Sequence, residues 1–369
     1  MSNDNYQIYF DCGHSRLRVG AFNKFKSSKV FYIESKFLFN HTEIEIEIEK
    51  IITFLEKNTN EYIDDINLMI DSPKMLSIGI SVSKKIDGLQ LRHEDIQFLV
   101  QEAKQQILKH YDNKNIVHII INNYKINDVD YDYLPLDIKC NFVSIDILFI
   151  CLPSETVKYF KEFFFKFDIS INQVSCSSYA KTMNYKDNFP LNRNVSFIDV
   201  GFNKTSITTY VDNKIISLDT IPIGGNNITK DISKILEIDI KKAENLKLNF
   251  EKNKNLFSSE NFSLELLQNI IFARTEEILE MCTQAIKLNI ITTDQCKMIL
   301  MGDGAKILDN LCIDKLSSVN DIDFLEETME DICQSGVKLS MGLNKQEVVV
   351  VPKKHIKQGF FEKLFHLFK

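Results

Sequence analysis

Short apolar runs separated by polar turns open the chain: YQIYFDC, RLRVGAF and KVFYIESKFLF lie between residues 6 and 40. Runs of this length, bounded by turn residues, predict three consecutive strands in a meander. The period then changes. Ile48, Ile51, Ile52 and Leu55 recur at i, i+3, i+4 and i+7, the spacing of an amphipathic helix. Strand character returns in NLMIDS and MLSIGISVS.

Residues 84–165 read as an insertion. RHEDIQFLVQEAKQQILKHY predicts a helix, with acidic residues in its first turn and Ile96, Leu99, Val100, Ala103 and Ile107 on one face. Strands in VHIIINNYKI and VSIDILFICL and a helix in ETVKYFKEFFFKF complete a small α/β unit. From residue 194, RNVSFIDVGFNKTSITTYVDNKIISLDTIPI repeats the three-strand theme of the N-terminus, with a turn at Asp212-Asn213. Such a repeat points to an internally duplicated fold. NITKDISKILEI, KKAENLKLNFEK and LELLQNIIFARTEEILEMCTQAIKLN follow as helices, and CKMILMGDGAKILDNL reads as strand, tight turn and helix. The charged stretch 241–255 is most simply a solvated face.

At 369 residues, 44% hydrophobic and 26% charged, the chain has the length of two or three domains and the composition of a soluble globular protein. The net charge of −7 and the lack of a dense basic stripe argue against nucleic-acid binding. The eight cysteines have no CxxC pair and no zinc spacing, so they read as reduced thiols. The N-terminal segment has neither the basic nor the apolar region of a signal peptide, and no stretch of 18 apolar residues predicts a membrane-spanning helix.

Only 12 glycines occur, and four of them, Gly13, Gly201, Gly302 and Gly304, lie in three strand-end turns. The turns are Phe10-Asp11-Cys12-Gly13-His14-Ser15, Ile198-Asp199-Val200-Gly201-Phe202-Asn203-Lys204-Thr205 and Leu300-Met301-Gly302-Asp303-Gly304-Ala305. A strand ending in Asp-x-Gly sets a carboxylate beside backbone N–H groups that can face a phosphate without an intervening side chain. Two such turns, one per half of a duplicated fold, would clamp a polyphosphate, with Asp11 and Asp199 near its hydrated Mg²⁺. The third turn opens a helix, whose N-terminus favours an anion. Taken singly each is an ordinary turn; their order and spacing carry the reading.

Together these features resemble the actin/Hsp70/sugar kinase superfamily. Within it, Ile221-Pro222-Ile223-Gly224-Gly225-Asn226-Asn227-Ile228-Thr229-Lys230-Asp231-Ile232 is similar to the segment after the second phosphate loop of the FtsA family, actin-like bacterial division proteins. Ala243-Glu244-Asn245-Leu246-Lys247 resembles that family's Glu-x-x-Lys helix, and Arg274-Thr275-Glu276-Glu277-Ile278 matches within the long helix. The resemblance implies an α/β fold: a duplicated, ribonuclease H-like actin ATPase fold whose two lobes flank a nucleotide cleft. The expected lobes are 1–83 with 166–193, and 194–225 with 298–350; 84–165 is the inserted subdomain, 226–297 a helical subdomain and 351–369 a tether and amphipathic helix.

By the same resemblance the nucleotide is ATP with Mg²⁺. Its expected contacts are Asp11, Gly13, His14, Ser15, Asp199, Gly201, Lys204, Thr205, Gly224, Gly225, Glu244, Lys247, Gly302 and Gly304, with Asp11 and Asp199 reaching the metal through water. Arg274 and Glu277 would bind the C-terminal peptide of the tubulin-like partner FtsZ, or else form an ordinary i,i+3 pair on a helix face. Self-association into a filament is implied, and the inserted unit is a candidate surface for other division proteins. The expected location is the cytoplasmic face of the bacterial inner membrane, at the septum.

Lys353–Lys369 carries five lysines against one glutamate, with Ile356, Phe360, Phe361, Leu364, Phe365 and Phe368 at helical spacing. Lys357 and Lys363 flank that apolar face, which makes a basic amphipathic helix suited to an anionic membrane surface. A helix docked on a core patch is the bland alternative. Three departures from the family pattern argue against efficient hydrolysis: Phe202 and Asn203 stand where glycines are usual, His14 replaces a small hydroxyl residue, and Asp303 replaces a glycine. If the second loop required positive φ, Phe202 would be strained there. His14 reads as a turn residue with an exposed imidazole, and no general base is evident. Competing readings are a PilM-like pilus-assembly adaptor and a sugar kinase of the same superfamily; an Hsp70-type chaperone is disfavoured, since no substrate-binding domain follows residue 352.

Overall fold

Both meanders form, and each becomes one side of a larger sheet. The structure is a computed structural model that describes residues 5–26, 30–36, 41–135, 138–189, 194–249, 263–290, 296–307, 322–341 and 347–348. Strands β1 (Tyr6–Cys12), β2 (Arg16–Asn23) and β3 (Val30–Lys36) run antiparallel, and β1 also pairs in parallel with β4 (Asp65–Ile70). With β9 (Ser170–Cys176) the sheet order is β3-β2-β1-β4-β9. The second lobe repeats this order as β12-β11-β10-β13-β14. Its strands are β10 (Asn194–Val200), β11 (Thr205–Val211), β12 (Lys214–Ile221), β13 (Cys296–Met301) and β14 (Ile322–Phe324). The β11–β12 hairpin turns at Asp212 and Asn213, with φ of 47° and 66°, the paired positive values of a type I′ turn.

A third sheet, ordered β5-β8-β6-β7, belongs to the inserted unit: β5 (Leu76–Lys85), β6 (Lys114–Ile126), β7 (Val129–Tyr131) and β8 (Phe142–Pro153). Helix α2 (His93–His110) buries Ile96, Leu99, Val100, Ala103 and Ile107 against it, the face read from the sequence. Hydrogen bonding extends this unit back to Leu76, ahead of residue 84. Helix α3 (Ser154–Phe165) instead puts Phe163 and Phe164 into the first-lobe core.

Helix α1 (His41–Thr59) packs Ile48, Ile51 and Leu55 onto the first sheet. Helices α5 (Gly225–Ile235), α6 (Ile240–Leu248) and α7 (Leu264–Asn289) form a separate helical core around Ile228, Ile232, Ala243, Leu267 and Ile271. Further along, α7 covers the second sheet with Ile278, Cys282 and Ile286.

Two helices were not read from the sequence; the first of them is buried on most sides, with seven of its nine residues inside. Helix α4 (Ser177–Tyr185) follows β9, and α8 (Met329–Ser340) follows β14; the two pack on each other between the lobes. Tyr179 and Ala180 of α4 share one core with Phe10, Leu68, Phe197 and Met301, so the two sheets are joined by continuous packing. Gly336 lets α8 lie against the first sheet: a Cβ there would come within 2.6 Å of Tyr9 and Met69. Past α8, Val348 N donates to Ile119 O at 2.8 Å, extending the inserted sheet along β6. The tether and amphipathic helix expected at 351–369, with Ile356, Lys357, Phe360, Phe361, Lys363, Leu364, Phe365 and Phe368, lie outside the described residues.

Candidate functional site

The turns after β1, β10 and β13 converge on one cleft of about 610 Å³ between the lobes. Parallel pairing of β10 with β13 places Asp199 beside Met301, so the second and third turns leave the sheet together. The first two turns close alike: Gly13 N donates to Arg16 O and Gly201 N to Lys204 O, each at 2.9 Å. Gly302 has φ +89°, and a Cβ on it would collide with Asp199 Oδ1. Gly224 caps α5 where a Cβ would come within 2.5 Å of Gly201 O.

The loop at 201–204 is not strained by its lost glycines. Neither Phe202 nor Asn203 is among the positive-φ residues, so the backbone follows a path open to any L-residue. Gly225 N and Asn226 N donate to Gly201 O and Phe202 O at 2.9 and 2.8 Å, tying the α5 N-terminus to this loop.

Of the residues expected to bind nucleotide, Asp11, Gly13, His14, Ser15, Asp199, Gly201, Lys204, Gly225, Glu244, Lys247, Gly302 and Gly304 line the cleft. Thr205 lies behind it, fully buried, donating to Ile223 O at 2.8 Å, and Gly224 serves as the helix cap. Lys247 Nζ is held by Gly225 O (3.0 Å), Thr229 Oγ1 (2.7 Å) and Glu244 Oε2 (2.6 Å), which fixes α6 to the start of α5. Lys247 is therefore buried, not part of a solvated face. The imidazole of His14 is half-buried, contrary to the exposed turn residue expected; burial, then the nearby Lys204 ammonium, lower its pKa and favour the neutral ring.

Charge compensation inside the cleft is nearly complete. Among the described lining residues, seven carboxylates face seven cations. Asp11 accepts from Arg18 Nη1 at 3.1 Å and from Ser177 Oγ at 2.6 Å. Asp199 Oδ2 lies 2.7 Å from Lys181 Nζ, which also reaches Glu327 Oε2 at 3.2 Å. Asp71 pairs with Lys204 at 3.0 Å and accepts from Ser178 Oγ at 2.6 Å. Asp303 takes Arg18 Nη2 at 2.6 Å and Arg16 Nε at 3.0 Å.

For Asp71, Lys181 and Arg18 the charged partners outweigh burial, and for Glu327 burial prevails. Asp71 is desolvated, yet Lys204 and the Ser178 and Cys176 donors hold its carboxyl well below the usual range. Burial works against the charge on Lys181 and Arg18 as well, but Asp199 and Glu327 on the first and Asp11, Asp303 and Glu34 on the second outweigh it and push both pKa values up. Glu327 is pushed up to about 7, chiefly by burial, and its Oε1 has no hydrogen-bond partner among the described residues.

The cleft suits a phosphate-bearing ligand: it has paired glycine turns, a helix N-terminus at α5 and several cations. It does not suit the hydrated Mg²⁺ expected on Asp11 and Asp199. Each of those carboxylates already holds a protein cation within 3.1 Å or less. Like charges about 4 Å apart repel by roughly 4 kcal/mol per pair of unit charges at an effective dielectric near 20, and a dication doubles that. Among the described residues no group of three or more His, Cys, Asp or Glu side chains is arranged to hold a metal.

Residues 196–345 match the family model described as Cell division protein FtsA. The FtsA of Buchnera aphidicola subsp. Schizaphis graminum is 24% identical over 270 residues, covering 69% of this chain and 62% of that protein. A second Buchnera FtsA, from subsp. Acyrthosiphon pisum, is 23% identical over 354 residues, covering 83% of this chain and 82% of its own length. This chain is similar to the FtsA cell division proteins. Over Agrobacterium fabrum FtsA the match spans 60% of that protein, so the chain covers about three-fifths of some of its curated relatives. Among solved structures, the type IV pilus biogenesis complex of PilM and PilN superposes with a TM-score of 0.60 at 12% identity, covering 91% of this chain and 96% of that one. The FtsA-like chain thus has the actin-like ATPase fold, with the inserted α/β unit described above.

In this FtsA-like chain, Arg274 on α7 is fixed by Asp231 of α5 at 2.6 and 3.0 Å and also pairs with Glu277. The sequence reading did not single out Asp71, Ser177, Lys181 or Glu327, which reach the cleft from β4, α4 and the segment before α8. Arg18 was legible in principle: the antiparallel β1–β2 register sets it directly opposite Asp11.

Proposed function

We propose that the chain is a nucleotide-binding, actin-like cell division protein that assembles with itself and holds the FtsZ ring to the inner face of the cytoplasmic membrane. The observation that carries this reading is the cleft, built by three glycine turns of two duplicated sheets in a chain whose second lobe matches FtsA. ATP is the nucleotide on this reading, with its phosphates toward the turns and its nucleoside toward Glu244 and Lys247 on α6. Hydrolysis is weak or absent on this reading, because the cleft carboxylates Asp11, Asp199 and Asp71 are each committed to an ion pair rather than left to activate water.

Residues 353–369 supply the membrane contact, through a phenylalanine-rich face and five lysines. Each basic residue near an anionic surface contributes about 1 kcal/mol, so a single copy binds reversibly and a polymer binds tightly. Deleting these residues is expected to abolish sedimentation with anionic vesicles; a truncated chain that still pellets rejects the tether. Arg274 and Glu277 present a partly exposed charged pair to the FtsZ tail. Arg274→Glu should remove binding of that peptide, and an unchanged titration would reject the assignment. The inserted unit is the proposed surface for other division proteins.

A second reading is a PilM-like adaptor, favoured by the superposition over nearly the whole chain. Retention of vesicle binding by residues 353–369 alone would favour the division role over the adaptor role.

A further inference from the structure

Asp11 and Asp199 occupy equivalent places in the duplicated fold, yet each acquires a cation by a different route. In the first lobe the cation comes across the β1–β2 hairpin, where Arg18 stands opposite Asp11. The same register position opposite Asp199 in the second lobe is Ser206, which carries no charge. There the cation arrives from α4 instead, as Lys181, 6% exposed, between Asp199 and Glu327. Two unrelated elements thus deliver the same outcome at the two carboxylates.

Both cations are also fixed by second contacts. Arg18 Nη2 reaches Asp303 in the third turn, and Lys181 Nζ reaches Glu327 Oε2 at 3.2 Å. A divalent cation in a phosphate site does two things: it neutralises charge and bridges carboxylate to phosphate oxygen. An Arg guanidinium on the same carboxylate does both through a fork of fixed geometry, and a Lys ammonium does both as a point charge with rotatable donors.

We propose that this cleft takes its nucleotide without a divalent cation, Arg18 and Lys181 standing on Asp11 and Asp199 where a hydrated metal would otherwise bridge to phosphate. The inference rests on the nucleotide-binding reading above and specifies how that site neutralises its ligand. It also separates binding from hydrolysis: a nucleotide held by tethered cations can set a conformation without being turned over.

The test titrates the full chain with a fluorescent ATP analogue in excess Mg²⁺ and again in EDTA. The expected result is a Kd that changes by less than about threefold between the two buffers. Tightening by about tenfold or more in Mg²⁺ would overturn the proposal while leaving nucleotide binding in place. Absence of binding in both buffers would overturn the nucleotide reading and this proposal with it. A second arm uses Arg18→Gln with Lys181→Met, its folding checked by near-ultraviolet circular dichroism. Freed carboxylates should make binding depend on Mg²⁺ by about tenfold or more, and a folded double variant that binds equally in both buffers would count against the assigned roles. The wild-type comparison stands by itself if the double variant does not fold.

Discussion

Lys181 is almost fully buried and lies between Asp199 and Glu327, so its charge stabilises the fold only as long as both partners remain. Lys181→Met would leave two carboxylates facing each other in the interior. Removing one partner of a buried pair costs about 3–5 kcal/mol, and a loss of that size should appear as a lower denaturant midpoint with unchanged slope. Glu327 gives a pH signature. Its folded pKa of about 7 lies above its ordinary value of 4.5, so the native state binds more protons than the unfolded state between those limits. Stability therefore falls as pH rises from 4.5 towards 7 and is level above it, by a total on the order of 3 kcal/mol. Glu327→Gln should remove that slope in stability measurements across this range; a slope that persists would reject Glu327 as its source.

At the scale of elements, the turns differ in how much they depend on glycine. Gly302 has positive φ and sits against Asp199, so Gly302→Ala should cost about 1–3 kcal/mol and weaken nucleotide binding. The loop after β10 should behave oppositely. Phe202 and Asn203 have no left-handed backbone to relieve, so Phe202→Gly is expected to give no gain in melting temperature and a small loss from added chain entropy. Helix α4 matters through its polar side chains: Ser177, Ser178 and Lys181 leave the first five residues of one helix and reach Asp11, Asp71 and Asp199 in turn. Periodicity cannot reveal such a helix, because its buried face is not apolar. The segment at 347–348 likewise gains its place from a partner strand, with Glu347 Oε1 2.7 Å from the fully buried His118.

Across the whole molecule, the two lobes are joined below the cleft by a continuous core and within it by ion pairs. Arg18 to Asp303, Lys204 to Asp71 and Lys181 to Asp199 each connect a residue of one lobe with a residue of the other. Because these charges are largely buried, moderate salt should screen them little. Lys204→Met should loosen the lobes, seen as faster amide exchange in the turns after β1 and β10; unchanged protection would show that the core alone holds them.

The sequence by itself determined the duplicated meanders, the inserted α/β unit and the three glycine turns. Each depends on local periodicity or turn chemistry, and both are written into consecutive residues: Ile96 to Ile107 along α2, and Asp212-Asn213 in the β11–β12 turn. Only the tertiary structure decided the state of the carboxylates. Asp11 and Asp199 read in the sequence as ligands waiting for a metal; in the fold they meet Arg18 across a hairpin and Lys181 from a helix. Electrostatic partnership depends on distance and burial in space, and residues 18 positions apart, as Lys181 and Asp199 are, carry no local signal of it.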